Sequence, residues 1–212
     1  MMANPLLPYL KPLPLVAVLR GITPPEIAPI CGALVDTGFR ILEVPLNSPE
    51  PFESIKLLAQ AFGERCLTGA GTVVKVGDVA RVKEAGGRLI VMPHADVAII
   101  REAKRLGLVC CPGVATMTEA FAALDAGADG LKMFPSELLT PAVLRAWRAV
   151  LPKDALVFAV GGIRPDNMGP YWDVGADGFG SGSNLYKPGA PVEQVRTVAA
   201  AYAAGVAALK AR

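Results

Sequence analysis

The sequence predicts an α/β protein that folds as a compact TIM barrel, a (β/α)8 barrel, with a short helix at its N-terminus. Eight short apolar runs alternate with eight stretches that suit helices. The apolar runs are continuous, as in parallel strands that helices cover on both faces. The chain has 212 residues and no evident linker. We therefore expect a single domain over residues 1–212, somewhat smaller than most such barrels.

The elements follow one another in a regular order. Residues 1–14 contain four prolines and predict a short helix followed by a linker. The predicted strands span residues 15–20, 41–46, 67–73, 89–93, 108–114, 130–136, 155–160 and 178–183. The predicted helices span residues 25–37, 51–62, 76–85, 96–106, 117–126, 141–150, 165–174 and 191–210.

Glycines that end helices make the repeat visible. They are Gly38, Gly86, Gly107, Gly127 and Gly175. Each follows a predicted helix and precedes an apolar strand, which is the usual place for a helix-ending glycine. The three central members of the set are almost evenly spaced, one βα unit apart, and the wider gap on either side corresponds to two units. Eight such units favour a closed barrel over a doubly wound open sheet, which usually has fewer units.

The composition limits the possible partners. The chain is 52% hydrophobic and 19% charged, with a formal net charge of +2. It can therefore bury a large core, and no charged block indicates nucleic acid or a membrane surface as a partner. No run is apolar enough to span a membrane and no signal peptide is evident, so we expect a cytoplasmic protein. The four cysteines and single histidine lack zinc-site spacing, so we expect reduced, buried thiols and no metal.

Lys132 is the first candidate catalytic residue, because it lies amid apolar neighbours in the sixth predicted strand. Side chains alternate along a strand, so Lys132 and Phe134 share one face, and Leu131 and Met133 the other. If the latter pack on helices, Lys132 points into the barrel. Loss of solvation there lowers its pKa and favours the neutral amine, which can form a Schiff base with a carbonyl. The alternative is a structural lysine that reaches solvent or pairs with an acid.

Glu43 is the second candidate catalytic residue. It lies in the second predicted strand, on the same face as Ile41 and Pro45. A carboxyl group inside a barrel needs a partner. Glu43 and Lys132 together form either a structural ion pair or a proton relay that serves a Schiff base.

Further candidates lie near the C-terminal ends of the predicted strands, where TIM barrels carry their active sites. Arg20 ends the first strand, Thr72 lies near the end of the third, and Pro93 ends the fourth. Arg20 could also be a surface arginine, and Thr72 an ordinary strand former. Phe134 is predicted to form an apolar wall that keeps the lysine amine dry.

Two glycine clusters follow the last two predicted strands. Gly161-Gly162 follows the seventh, and Gly182 and Ser183 end the eighth. Loops at this position bind phosphate in many TIM barrels. Glycines let the backbone approach an anion, and Ser183 adds a hydroxyl. A tight turn explains one Gly-Gly pair equally well, but two clusters favour a phosphorylated small molecule as substrate.

Five motifs in strand order form a specific combination. They are Leu42-Glu43-Val44, Gly69-Ala70-Gly71-Thr72-Val73, Cys111-Pro112-Gly113, Leu131-Lys132-Met133-Phe134-Pro135 and Gly161-Gly162-Ile163. The combination resembles the class I aldolases that cleave 2-keto-3-deoxy-6-phospho sugar acids. The resemblance runs from about Leu15 to the terminal helix. It implies a small trimeric TIM barrel that acts on a phosphorylated keto acid and needs no cofactor.

The resemblance also implies a role for each candidate. Lys132 would form the Schiff base, and Glu43 would be the general acid and base. Arg20 and Thr72 would hold the carboxylate of the pyruvate half. The other substrate-binding residues would be Pro93 and Phe134 and, for the phosphate, Gly161, Gly162, Gly182 and Ser183.

Within this family, two branches act on C4 epimers, the phosphogluconate and phosphogalactonate compounds. The run Pro45-Leu46-Asn47-Ser48-Pro49 resembles the galactonate branch, because gluconate-type enzymes typically have Thr-Leu-Arg-Thr there. The segments that point the same way are Leu19-Arg20-Gly21-Ile22-Thr23, Phe158-Ala159-Val160-Gly161-Gly162 and Gly182-Ser183-Asn184-Leu185-Tyr186. His94 and Glu137 depart from the family pattern at the rim of the mouth, which bears on substrate preference.

Four other functions stay open at this point. The enzyme could cleave the gluconate epimer, or both epimers, which relative cleavage rates would show. A metal-dependent class II aldolase would lose activity with a chelator. An isomerase or synthase barrel would bind phosphate without a lysine imine. A catalytically silent phosphate-binding barrel would not need the Glu43 and Lys132 pair, which is intact.

Overall fold

The structure is a computed structural model that describes residues 4–212, so the first three residues of the predicted N-terminal helix and linker lie outside it. The described chain contains nine strands, nine α-helices and one 3-10 turn, Pro24–Glu26. The strands are β1 Leu15–Val18, β2 Ile41–Pro45, β3 Leu67–Gly71, β4 Leu89–Val91, β5 Val109–Cys111, β6 Gly113–Val114, β7 Leu131–Met133, β8 Val157–Val160 and β9 Gly178–Ser181. The helices are α1 Leu7–Leu10, α2 Ile27–Asp36, α3 Pro51–Phe62, α4 Val76–Glu84, α5 Val97–Arg105, α6 Met117–Asp125, α7 Pro141–Arg148, α8 Met168–Trp172 and α9 Val192–Lys210.

The strands form one parallel sheet that closes into a barrel. Their order is β5-β4-β3-β2-β1-β9-β8-β7-β6. The two ends of this order, β5 and β6, are consecutive in the chain and only Pro112 separates them. Proline has no N–H to donate to a ladder, which explains why the predicted strand 108–114 is split. With β5 and β6 counted as one interrupted strand, eight strands alternate with helices, and the predicted TIM barrel fold is confirmed.

Two segments differ from the predicted elements. The predicted helix 165–174 begins only at Met168, because Arg164 N donates to the Asn167 side chain at 2.8 Å and holds a turn there. The predicted helix 25–37 begins with the 3-10 turn before α2. The five helix-ending glycines all have a positive φ, between +74° and +106°. No helix within residues 4–212 is long and apolar enough to cross a membrane.

Side chains alternate along the strands, so the barrel has an outer core between strands and helices and an inner core inside the barrel. Leu131 and Met133 of β7 belong to the outer core under the helices and are fully buried, as the sequence predicts. The inner core fills the lower barrel with Ile41, Leu67, Leu89, Val91, Val109, Cys111 and Phe158. Leu6 and Leu10, at the start and end of the α1 segment, complete it and close the N-terminal end of the barrel.

At two places on the N-terminal side of the barrel, an aspartate bonds to the backbone of a neighbouring strand and forms an ion pair with a helix residue. The tetrapeptide Gly-Ala-Asp-Gly occurs before β7 and again before β9. Asp129 accepts from Cys110 N at 2.8 Å and pairs with Lys104 at 2.6 Å. Asp177 accepts from Val157 N at 2.7 Å and pairs with Arg148. These contacts lie opposite the mouth, at the end of a TIM barrel that serves stability.

Candidate active site

Glu43 and Lys132 both project into the barrel and line one small interior cavity of about 20 Å³. Glu43 is the inward residue at the middle of β2, in register with Val18 of β1. Lys132 is the inward residue of β7, and its backbone N–H donates to Pro112 O at 2.9 Å. Apolar side chains form most of the cavity wall, and Lys132 also lines the wider cavity at the mouth. The structure thus brings the two candidate catalytic residues together at the junction of interior and mouth.

Burial shifts the pKa of both groups towards neutrality. Glu43 is 1% exposed, and loss of solvation raises its pKa to about 7 although the Lys132 and Arg20 cations oppose the shift. Loss of solvation also lowers the pKa of Lys132; Arg20 lowers it further, whereas Glu43 and Cys111 oppose the change. The lowered pKa of Lys132 favours its neutral amine, and the carboxyl beside it can give or take a proton near neutral pH, which suits general acid–base work.

The Glu43 carboxyl occupies space that exists because residue 71 is glycine. A Cβ on Gly71 would lie 1.8 Å from Oε2 and 2.4 Å from Oε1 of Glu43. Oε2 is buried and accepts no hydrogen bond within residues 4–212. The glycine thus makes room for the carboxyl, and the unpaired oxygen is available for proton exchange.

Arg20 extends over the mouth from the end of β1 and is held by two side chains. Its Nη1 donates to Asn47 Oδ1 at 2.8 Å, and its Nη2 donates to Thr72 Oγ1 at 3.4 Å. Thr72 has a φ of +55°, which is rare for a β-branched residue and marks a strained position of the kind found at functional sites. This arrangement aims a guanidinium at the mouth, where it can bind a carboxylate.

Phe134 covers the amine from the side of the mouth. Its ring centroid lies 4.5 Å from Nζ of Lys132, and the residue is partly buried. The structure thus places Phe134 where the sequence predicts an apolar wall.

The mouth cavity, about 260 Å³, joins Lys132 to the predicted phosphate loops. Gly161, Gly162, Gly182 and Ser183 all line it, together with Arg20. Gly161 and Gly162 have φ of +107° and +65°, so both backbones adopt a conformation that glycine alone takes readily. Successive glycines in such conformations form concavities that bind anions through backbone N–H groups.

Pro93 and His94 lie apart from this cavity. Neither lines it, and a Cβ on Gly113 would lie 2.5 Å from the carbonyl carbon of Pro93. Pro93 is partly buried and His94 is exposed. Of the predicted substrate-binding residues, Pro93 and Thr72 do not line the cavity, but Thr72 contacts Arg20, which does.

Three residues of the site were not among the predicted site residues. Asn47 holds Arg20, Gly71 accommodates Glu43, and Glu137 lines the mouth cavity. Asn47 directly follows a predicted strand, which is a signal that sequence reasoning could have used. Glu137 was noted only as a departure from the family pattern. No cluster of metal-ligating side chains occurs in the part of the chain that the structure describes.

Comparison with known proteins identifies the family to which this chain is similar. Residues 8–201 match the family described as KDPG and KHG aldolase. The 2-dehydro-3-deoxy-6-phosphogalactonate aldolase of Escherichia coli (strain K12) is 48% identical over 190 residues, covering 90% of this chain and 93% of that protein. A solved structure described as native KDPGal superposes with a TM-score of 0.93 at 46% identity, covering 94% of this chain and 97% of that one.

A second solved structure is a cube-shaped protein cage designed by fusing symmetric oligomeric domains. It superposes with a TM-score of 0.92 at 46% identity, covering 94% of this chain and 74% of that one. The family that the five sequence motifs indicate is thereby confirmed: this chain belongs to the KDPG and KHG aldolase family.

Proposed function

We propose that this protein cleaves 2-dehydro-3-deoxy-6-phosphogalactonate to pyruvate and glyceraldehyde 3-phosphate through an imine on Lys132. The observation that carries the proposal is the lysine of lowered pKa beside a carboxyl of raised pKa in one apolar cavity. The name of the E. coli relative supports the choice of the galactonate epimer. The Pro-Leu-Asn-Ser run after Glu43 supports the same branch.

The reaction begins when the neutral amine of Lys132 attacks the C2 ketone of the substrate. The carbinolamine that forms loses its hydroxyl as water, with a proton supplied by Glu43. The product of this step is a protonated imine, which draws electrons from the neighbouring C3–C4 bond. The cavity wall and Phe134 keep bulk water from the imine while it exists.

Cleavage follows when the C4 hydroxyl gives up its proton. The C4–O electrons form the aldehyde carbonyl, the C3–C4 bond breaks, and its electrons move into the imine to give an enamine. Glu43 serves these proton transfers, because its pKa of about 7 lets it act in both directions. Protonation of the enamine at C3 and hydrolysis of the imine then release pyruvate and restore the amine.

The two ends of the substrate would be bound at opposite sides of the mouth cavity. Arg20, held by Asn47 and Thr72, would bind the carboxylate. Gly161 and Gly162, with Gly182 and Ser183 across the cavity, would bind the phosphate. The lysine between the two ends would meet the C2 ketone.

Trapping with borohydride tests the lysine. Pyruvate and borohydride should leave one reduced adduct, which peptide mapping places on Lys132. Lys132→Ala should form no adduct and cleave no substrate while it stays folded, whereas Lys153→Ala, at an exposed site, should behave as wild type. An adduct on another lysine, or none in the wild type, would refute the imine mechanism.

The choice of epimer has a separate test. We expect kcat/KM for the phosphogalactonate substrate to exceed that for the phosphogluconate substrate by about tenfold or more, since a site that places a hydroxyl group discriminates against its misplacement. Equal values would show dual activity, and the reverse order would assign the gluconate epimer.

The proposed enzyme is a cytoplasmic homotrimer. The cage design built from symmetric oligomeric domains supports an oligomer for the related barrel. Light scattering of the purified protein should give a mass about three times the 22.1 kDa of the chain. A mass of one chain would rule out the trimer.

A further inference from the structure

Glu137 places a carboxyl group against the glycine loops proposed to bind the substrate phosphate. The residue follows β7 and lines the mouth cavity with Lys132 and the glycine loops. A Cβ on Gly161 would lie 2.2 Å from Oε2 of Glu137, and a Cβ on Gly162 would lie 2.8 Å from its Cγ. The side chain therefore rests directly against the two glycines whose backbone would meet an anion.

The backbone on either side of Glu137 is held in place. Ser136 N donates to Val160 O at 2.8 Å, immediately before the glycine pair. The hydroxyl of Tyr171 donates a shared hydrogen bond to Ser136 O at 2.7 Å and to Leu139 O at 3.1 Å. Glu137 itself is exposed. The carboxyl can thus leave the concavity by rotation of its side chain, without movement of the loop.

We propose that the Glu137 carboxylate is an internal competitor that occupies the anion concavity of the empty enzyme and is displaced by the substrate phosphate. The inference rests on the proposed function, because it takes the glycine loops as the phosphate site. Two anions in one concavity oppose each other's binding, since like charges a few Å apart repel even at a solvated surface. The carboxylate therefore weakens binding of phosphorylated ligands and returns to the concavity as the phosphorylated product leaves.

The variants Glu137→Gln and Glu137→Ala test this role. Glutamine keeps the shape of the side chain without its charge, and alanine vacates the concavity. Inorganic phosphate serves as the probe, as a competitive inhibitor of cleavage. We expect its inhibition constant and the KM of the phosphorylated substrate to fall by about fivefold, the size of a like-charge effect at about 4 Å in water. Trapping with pyruvate, which has no phosphate, reports on Lys132 separately.

The matched control is Glu84→Gln, which removes an exposed carboxylate from α4. It should leave phosphate inhibition unchanged. Unchanged or weaker phosphate inhibition in both Glu137 variants would overturn the inference, as would a raised KM, which would make Glu137 a substrate-binding residue. Failure of the proposed function looks different, because the wild-type enzyme itself would then not cleave the substrate or form the pyruvate adduct.

Discussion

Substitution of alanine for Gly71 should separate catalysis from folding. The added Cβ would lie 1.8 Å from Oε2 of Glu43, whereas real Cβ contacts are essentially never under 3.0 Å. The carboxyl must therefore move by roughly 1 Å or more, which is the scale of misplacement that matters at a catalytic group. The atoms that must move are the end of a flexible side chain, so the strand itself can stay in place. Gly71 also has no positive φ, so its backbone accepts alanine without strain.

The expected loss of activity follows from this displacement. A misplacement of about 1 Å at a catalytic group can lower the rate about 10²-fold, which corresponds to about 2.7 kcal/mol of activation free energy. We expect kcat to fall by about that factor in Gly71→Ala. The free energy of unfolding should change by no more than about 1 kcal/mol, because replacing a strand glycine also removes an entropic cost of folding.

Steady-state cleavage, urea unfolding and pH dependence together form the assay. Displacement of the carboxyl from its buried position should lower the pKa of Glu43, so the limb of the pH–rate profile near pH 7 should move to lower pH. Gly77→Ala is the control, since a Cβ there meets no atom within 4 Å. A Gly71→Ala enzyme that is folded and keeps kcat within threefold of wild type would refute this account of how Glu43 is positioned.

Four further predictions concern charge and burial. Arg20→Ala removes a cation that lowers the pKa of Lys132, so the pH at which pyruvate trapping sets in, measured at saturating pyruvate, should rise. Glu43→Gln removes a group that raises the same pKa, so the onset should fall; shifts in the opposite directions would contradict the electrostatics. Asp129→Asn should lower the free energy of unfolding by about 1–3 kcal/mol in urea, because it weakens a charged bond to Lys104, with kcat unchanged. An exposed control, Asp154→Asn, should cost less than about 0.5 kcal/mol. All four cysteines are buried and their thiol pKa values are raised, so a thiol reagent should modify none in the native enzyme and all four after unfolding; rapid native modification would count against the burial.

Much of the fold was predictable because its signals are local. Continuous apolar strands and helix-ending glycines repeat along the chain, so the eight βα units and the inward face of Lys132 could be inferred from periodicity. The proline within the predicted strand 108–114 was visible in the sequence. Whether it splits the strand in two depends on which carbonyl oxygen lies opposite the position where Pro112 lacks an N–H. Pairing register, which long-range contacts set, fixes that partner.

The site was predictable to the extent that its residues have unusual chemistry for their position. Lys132 and Glu43 stand out as charges in apolar strands. Gly71 does not stand out, because its importance comes from the Glu43 side chain on the neighbouring strand. Glu137 was noted only as a departure from the family pattern, and its contact with Gly161 was not predictable because it joins two loops that follow different strands, β7 and β8. Contacts of this kind require coordinates.

The closed lower end of the barrel limits the route by which water reaches and leaves the imine in the proposed reaction. Leu6, next to α1, lies in the wall of the same cavity as Lys132, so the first turn of the described chain acts as a plug beneath the lysine. Imine formation expels one water and imine hydrolysis consumes one. With only the mouth open, both must pass where the aldehyde half of the substrate sits. The plug thus protects the intermediate by leaving water a single route to it.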